Sequence, residues 1–185
     1  CFWKYGVFKM KIHDTLFDVK WINELASGLL NSPWQANNTA NRTTWPYGMS
    51  GTHRLLGHRF FYRENQDQIN YSSWNRELAN TLINAFQQQI NKKKLTLIDI
   101  SANLQFKGMD GTWHTDGNDH DTSFVLMLYY PEDKVTGGEL FLKPNTTVKF
   151  KQGRLIEFPA NQSHRANAFN QAFIPRMSVK WVGRE

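Results

Sequence analysis

Apolar positions change their period near Leu95. Before it they recur at intervals of three and four residues, the spacing of one face of a helix. Phe17, Trp21, Ile22, Leu25 and Leu29 form the first such stripe, with Asp14 placed to cap it and Asn31-Ser32-Pro33 to end it. Trp74, Leu78, Leu82, Phe86 and Ile90 form the second. Ser72 or Ser73 stands where its N-cap belongs, Glu77 suits its first turn, and Lys92-Lys93-Lys94 suit its last turn through the helix dipole. Between the stripes, Asn37 to Gly57 is rich in Gly, Asn and Thr and contains Trp45-Pro46-Tyr47-Gly48. It reads as a long loop, of the kind that serves as a lid or substrate clamp.

From Leu95 onward the pattern is that of strands: Leu95–Ile100, Ser101–Phe106, Thr122–Tyr130, Glu139–Leu142, Thr147–Phe150, Arg154–Phe158, His164–Phe169 and Met177–Val182. Turn residues separate them, among them Gly108, Gly117-Asn118, Pro131, Gly137-Gly138, Gly153, Pro159 and Pro175. Many short strands at near-regular spacing predict a sandwich or jelly roll. Helices followed by strands predict an α+β chain, mainly β, with helices packed on one face of an antiparallel sheet.

The length of 185 residues suits one domain, here 1–185, with helical support over about 1–94 and a β core over about 95–182. Hydrophobic residues at 40% and charged residues at 21% exclude a disordered chain. A net charge of +6 asks for an anionic partner without naming it. A single Cys excludes a disulfide framework and a thiolate zinc site, so any metal must be held by His and carboxylate. No apolar run is long enough to span a membrane and no signal-peptide pattern opens the chain, so a cytoplasmic or otherwise intracellular protein is expected. The Asn-x-Ser/Thr sequons at Asn41, Asn70, Asn145 and Asn161 are ascribed to the abundance of Asn.

His114-Thr115-Asp116 is the first chemical signal. In an extended segment, residues i and i+2 face the same way, so His114 and Asp116 can reach one ion. His164 follows fifty residues later, far enough for intervening strands to bring it back beside His114. Two His and one carboxylate form the facial triad that leaves three metal positions open, as in non-haem Fe(II) oxygenases. A third signal is Arg176-Met177-Ser178-Val179-Lys180-Trp181-Val182, in which Arg176, Ser178 and Lys180 share one face. If that face points inward, Arg176 is a buried cation with no acidic neighbour in sequence, and a ligand carboxylate would satisfy it bidentately.

In this order His114-Thr115-Asp116, Tyr129-Tyr130-Pro131, Gly137-Gly138-Glu139-Leu140, Gly153 to Phe158, His164 and Arg176-Met177-Ser178 resemble the Fe(II)/2-oxoglutarate-dependent dioxygenases, and among them the prolyl 4-hydroxylase-like branch. The resemblance spans about Leu95 to Val182. It implies a double-stranded β-helix, or jelly roll, with supporting N-terminal helices. It implies that His114, Asp116 and His164 bind Fe(II), that Arg176 pairs with the far carboxylate of 2-oxoglutarate, and that Tyr130, with Tyr129 as the competing position, and Ser178 add hydroxyls there. Lys180, on the Arg176 face, adds positive charge toward the same dicarboxylate. Leu140 packs on the cosubstrate. Many members carry a Tyr where this chain reads Leu104-Gln105-Phe106, so either Gln105 takes the place of the phenol as donor or the contact is absent.

The implied reaction hydroxylates a C–H bond with O2, gives succinate and CO2 as co-products, and is supported by ascorbate. A prolyl residue in a peptide or protein is the expected substrate, with a free amino acid or small metabolite as alternative. Nucleic-acid demethylases of this chemistry carry a second Arg six residues after the cosubstrate Arg; this chain has Val182 there and no aromatic-basic cluster for base flipping. The alternative outside enzymes is a non-catalytic jelly-roll binding module. His120, His13, His53 and His58 are given no metal role.

Overall fold

The computed structural model describes residues 10–45, 54–65, 68–71, 75–91, 94–129 and 134–185. Eleven strands and two helices stand among them: β1 (Lys11–His13), α1 (Val19–Leu30), β2 (Gln35–Asn38), β3 (Leu55–Arg63), β4 (Ile69–Tyr71), α2 (Arg76–Ala85), β5 (Thr96–Gln105), β6 (Asp121–Leu128), β7 (Leu140–Leu142), β8 (Thr146–Val148), β9 (Leu155–Pro159), β10 (His164–Ala166) and β11 (Arg176–Arg184). A π-helical turn, Phe86–Ile90, continues α2.

The strands form two antiparallel sheets. The larger runs β1-β9-β6-β11-β5-β3-β2, with β4 also paired to β3; the smaller runs β10-β7-β8. This is the jelly roll expected. Alternation along the strands sorts the side chains. On β11, Met177, Val179 and Trp181 point to the helix side, where they pack with Leu25, Leu29, Leu82 and Phe86. Val125, Met127, Ile156 and Phe158 point the other way and meet Leu140, Leu142 and Val148 of the smaller sheet. β6 is buried at all eight positions because both of its faces are covered, which is why its sequence reads as a run rather than an alternation. Trp181 belongs to the helix-side core, its indole N–H donating to the Leu82 carbonyl at 3.0 Å.

Several boundaries differ from those the sequence predicts. Leu95–Ile100 and Ser101–Phe106 are one strand, because Ser101 faces the interior cavity rather than a turn. The strands predicted at 147–150 and 164–169 end earlier, at Val148 and Ala166. The first half is not only helical: β3 pairs with β5 and lies inside the larger sheet, and β1 caps its other edge on β9. Leu55, Leu56 and Gly57, placed in the loop by composition, open β3, and β2 takes in Asn37 and Asn38.

The helix caps also shift. Asp18, not Asp14, caps α1, its carboxylate accepting from the Trp21 N–H at 2.8 Å. Phe17 precedes it and stacks on Trp21 at 4.3 Å. Asp14 instead binds Arg154 and Lys151 across the chain, at 2.7 and 2.9 Å. Asn75 caps α2 through the Leu78 N–H; Ser72, Ser73 and Trp74 lie outside the described residues. α2 has no basic residue in its last turn, and Asn91 closes the π-helical turn by bonding Leu95 in both directions. Lys92 and Lys93 lie outside the described residues. No helix among the described residues is long and apolar enough to cross a membrane.

Candidate metal centre

His114 and His164 are brought together by the backbone. Each donates its N–H to the carbonyl of the other, at 3.0 and 2.9 Å, forming a single antiparallel bridge between the segment before β6 and the start of β10. Residues bonded in this way stand directly opposite one another, and the two rings lie 4.3 Å apart. Asp116 is fixed two residues on by its own N–H and that of Gly117, both donating to the Ala160 carbonyl. A Cβ at Gly117 would come within 2.6 Å of the Asp121 carboxylate, and that carboxylate holds the turn through the Asn118 N–H and Arg184. Glycine after Asp116 is therefore a requirement of close approach.

Each imidazole is oriented from behind. His114 Nδ1 lies 2.7 Å from the Thr112 carbonyl and His164 Nδ1 lies 2.9 Å from that of Gln162. A carbonyl only accepts, so Nδ1 carries the proton and Nε2 offers its lone pair. The Nε2 atoms stand 3.7 and 3.3 Å from the two oxygens of Asp116, and the three ligating atoms lie within 4.8 Å of one another. Burial, together with the neighbouring His164, lowers the His114 pKa to about 4, which keeps the ring neutral. Burial alone would raise the Asp116 pKa, but the Lys180 ammonium beside it outweighs this and holds the carboxyl below its ordinary range. Two imidazoles with their Nε2 atoms turned toward a carboxylate, on one side of an open cavity, fit a divalent ion with facial coordination.

The cavity has a volume of about 670 Å³ and reaches from β2 and β3 inward to Arg176. Arg176 is completely buried. Its Nε donates to the Gly138 carbonyl at 3.0 Å, and its Nη1 donates to Gln105 Oε1 at 2.8 Å and to Ser178 Oγ at 3.3 Å. Nη2 finds no acceptor among the described residues. Burial lowers this guanidinium to about 10, which leaves it charged. A buried N–H without an acceptor is costly, and this one lines the same cavity as the triad. A ligand carboxylate would supply what it lacks.

Leu140 and Val125 give this inner end apolar walls. Gln105 does not act as the donor expected in place of a phenol. Its amide nitrogen is committed to the Met109 and Ala166 carbonyls, and its oxygen receives Arg176. Tyr130 lies outside the described residues; Tyr129 packs edge-on against Phe150 and Phe169.

Lys180 is not directed at Arg176's end of the cavity. Its ammonium donates to Asp116 Oδ1 at 2.9 Å and stands 3.6 Å from Asp99 Oδ2. Ser123 donates to the other Asp116 oxygen at 2.8 Å. Neither Ser123 nor Asp99 stands out in the sequence; Asp99 lies on the face of β5 that alternation gives to Ser101, Asn103 and Gln105, which is the available signal. Of the remaining histidines, His13 faces Glu157 at 3.4 Å, His58 bonds the Pro33 carbonyl, and His120 is exposed. His53 lies outside the described residues.

The described part of the long loop lies across the metal turn. Asn41 N–H donates to Thr112 Oγ1, Thr44 Oγ1 donates to the Trp113 carbonyl, and the Trp113 N–H donates to that of Trp45. Trp45 stacks on Arg165, the neighbour of His164, at 4.4 Å, with Phe141 at 4.6 Å from the same guanidinium. Trp113 also lies against Arg165.

No protein-family model matches the chain, and no curated protein matches it. Solved structures do. A 2OG-Fe(II) oxygenase family oxidoreductase from Burkholderia pseudomallei superposes with a TM-score of 0.68 at 15% identity, covering 95% of this chain and 86% of its own. The non-heme alpha-ketoglutarate-dependent epimerase SnoN of nogalamycin biosynthesis gives 0.62 at 12%, covering 96% and 77%. A Pseudomonas putida prolyl-4-hydroxylase gives 0.56 at 17%, covering 97% and 94%. The chain has the jelly-roll fold of 2OG-Fe(II) oxygenases, prolyl hydroxylases included.

Proposed function

We infer that the protein is an Fe(II)- and 2-oxoglutarate-dependent dioxygenase that hydroxylates a C–H bond, with a prolyl residue of a peptide or protein as its substrate. The observation that carries the reading is Arg176 Nη2, a buried donor without a described acceptor, in one cavity with His114, Asp116 and His164. In this reading the triad holds Fe(II) and the guanidinium receives the far carboxylate of 2-oxoglutarate, with Ser178 Oγ beside it. Leu140 and Val125 would give the carbons between these two ends an apolar wall. Bound iron with 2-oxoglutarate and O2 supplies oxidative decarboxylation to succinate and CO2 and the oxidant for the C–H bond, with ascorbate supporting turnover.

The protein's own contribution is placement. The Thr112 and Gln162 carbonyls fix both rings, Gln105 fixes Arg176, and Leu140 and Val125 line the cavity between them. The prolyl assignment is supported by the sequence resemblance and by the fold shared with the Pseudomonas putida prolyl-4-hydroxylase. Gln35, Asn38, Arg59 and Asn103 make the outer cavity polar, which also suits a free amino acid or other small polar metabolite.

The same fold serves an epimerase, so the test reads hydroxylation itself. Protein loaded with Fe(II) is given 2-oxoglutarate, O2 and ascorbate, first alone, then with a pool of proline-containing peptides, then with free amino acids. Succinate release and a +16 Da product on proline are expected. Succinate with hydroxylation of a free amino acid only would replace the peptide substrate. Failure both to bind 2-oxoglutarate and to form succinate would leave a non-catalytic binding module.

A further inference from the structure

Four charged residues form a line from the metal centre to the cavity mouth. Asp116 receives Lys180 at 2.9 Å, Lys180 stands 3.6 Å from Asp99, and Asp99 Oδ1 lies 2.8 Å from Arg59 Nε. Asp116 and Asp99 are both buried, and Arg59 is mostly exposed at the mouth. Lys180 is therefore shared between two carboxylates. It touches one and falls just short of hydrogen-bonding distance to the other, whose Oδ2 already accepts from Ser101 at 3.0 Å.

An ammonium at 2.9 Å from Asp116 and a divalent ion on the same buried carboxylate are like charges, and they oppose each other. We propose that Lys180 is a positioning residue that occupies Asp116 in the metal-free protein and moves onto Asp99 when a divalent metal binds. This rests on the reading of His114, Asp116 and His164 as metal ligands. In the metal-free state the Lys180 ammonium balances the charge of the buried Asp116 carboxylate, a place that a divalent ion would take over. On metal binding the ammonium need travel only a short way, because Asp99 offers a second buried carboxylate on the neighbouring strand. Lys180 and Asp99 sit two register positions apart and so share a face, since Lys180 pairs with Ser101 and Val182 with Asp99.

The proposal gives two neighbouring residues opposite effects. Removing Lys180 removes the competitor for Asp116, and removing the charge of Asp99 removes the competitor's other seat. A residue that only supports the fold would weaken the site in both cases.

The experiment is calorimetric titration of the metal-free protein with Mn²⁺ alone, with melting temperatures recorded alongside. Lys180→Met is expected to bind Mn²⁺ about ten-fold tighter than the unaltered protein, and Asp99→Asn about ten-fold weaker. Lys180→Gln carries the same expectation as Lys180→Met and serves if the methionine variant does not fold. Mn²⁺ binding that disappears in His114→Ala while Lys180→Met and Lys180→Gln bind equally or more weakly overturns the role of Lys180 and leaves the metal centre standing. No Mn²⁺ binding by the unaltered protein overturns both.

Discussion

Arg176 and Gln105 are register partners on β11 and β5, and the 2.8 Å bond between them makes the amide the seat of a buried guanidinium. The seat is itself fixed, because both amide protons of Gln105 are committed to backbone carbonyls. The pair thus sets where Arg176 presents its remaining N–H groups.

Replacing Gln105 by Leu removes that seat while leaving the charge. A hydrogen bond to a charged group contributes about 1.5–3 kcal/mol, so the KM for 2-oxoglutarate should rise roughly ten-fold or more with a smaller change in kcat. Gln105→Glu should be worse, because a carboxylate beside Arg176 neutralises the charge meant for the ligand. Succinate release against 2-oxoglutarate concentration measures both, and an unchanged KM in Gln105→Leu refutes the arrangement.

In the proposed metal centre, His114→Ala and Asp116→Ala each remove one ligand from a set of three. Both variants should lose Mn²⁺ binding in calorimetry and succinate formation with Fe(II). Arg176→Met should differ in kind: it keeps Mn²⁺ binding and loses 2-oxoglutarate binding. A variant set in which all three lose the metal together would show that Arg176 supports the centre rather than the cosubstrate.

The neutral state of His114 gives a pH dependence with a definite sign. Burial and the nearby His164 place its folded-state pKa at about 4, against an ordinary value of about 6.5. Between these values the unfolded chain takes up the proton and the folded metal-free chain does not. Stability from this residue therefore rises with pH across the window and is level above it. The imidazole proton resonances of the metal-free protein, followed by NMR, should show one ring titrating near 4 that is absent in His114→Ala. A midpoint near 6.5 for that ring would remove the basis for a neutral ligand at acidic pH.

The inward face of β11 was legible because alternation is local: Arg176, Ser178 and Lys180 had to share a side. The pairing of His114 with His164 was legible only through the motif order, since a bridge across fifty residues leaves no periodic trace. What Lys180 touches was not legible at all. Its partners come from the neighbouring strand and from a turn sixty-four residues earlier, so chain position alone made it look like a helper of Arg176. The first-half strands were hidden for another reason. β2 is short and polar, β4 has only three residues, and their pairing is supplied by β3 rather than by their own side chains.

Gly57 gives the last test, directed at the outer cavity rather than the metal. It pairs with Gln35 on β2 and with Asn103 on β5, and a Cβ there would lie 2.4 Å from the Asn38 amide nitrogen and 2.9 Å from Asn38 Cβ. The closest of these atoms could swing aside, but Cβ is fixed to the β2 backbone, so Gly57→Val must push β2 outward. The 2.7 Å bond from Asn38 to Asn103 would break with it, and the polar wall of the mouth would move. Neither residue touches the triad or Arg176, so Mn²⁺ and 2-oxoglutarate binding should stay within about two-fold of the unaltered protein, as for separated sites. The KM for the substrate to be hydroxylated should rise by about ten-fold, in line with one lost positioning contact. Asn38→Ala, which removes the side chain without moving the strand, separates the two causes: an equal rise assigns the effect to the amide, and no rise assigns it to the displaced backbone of β2.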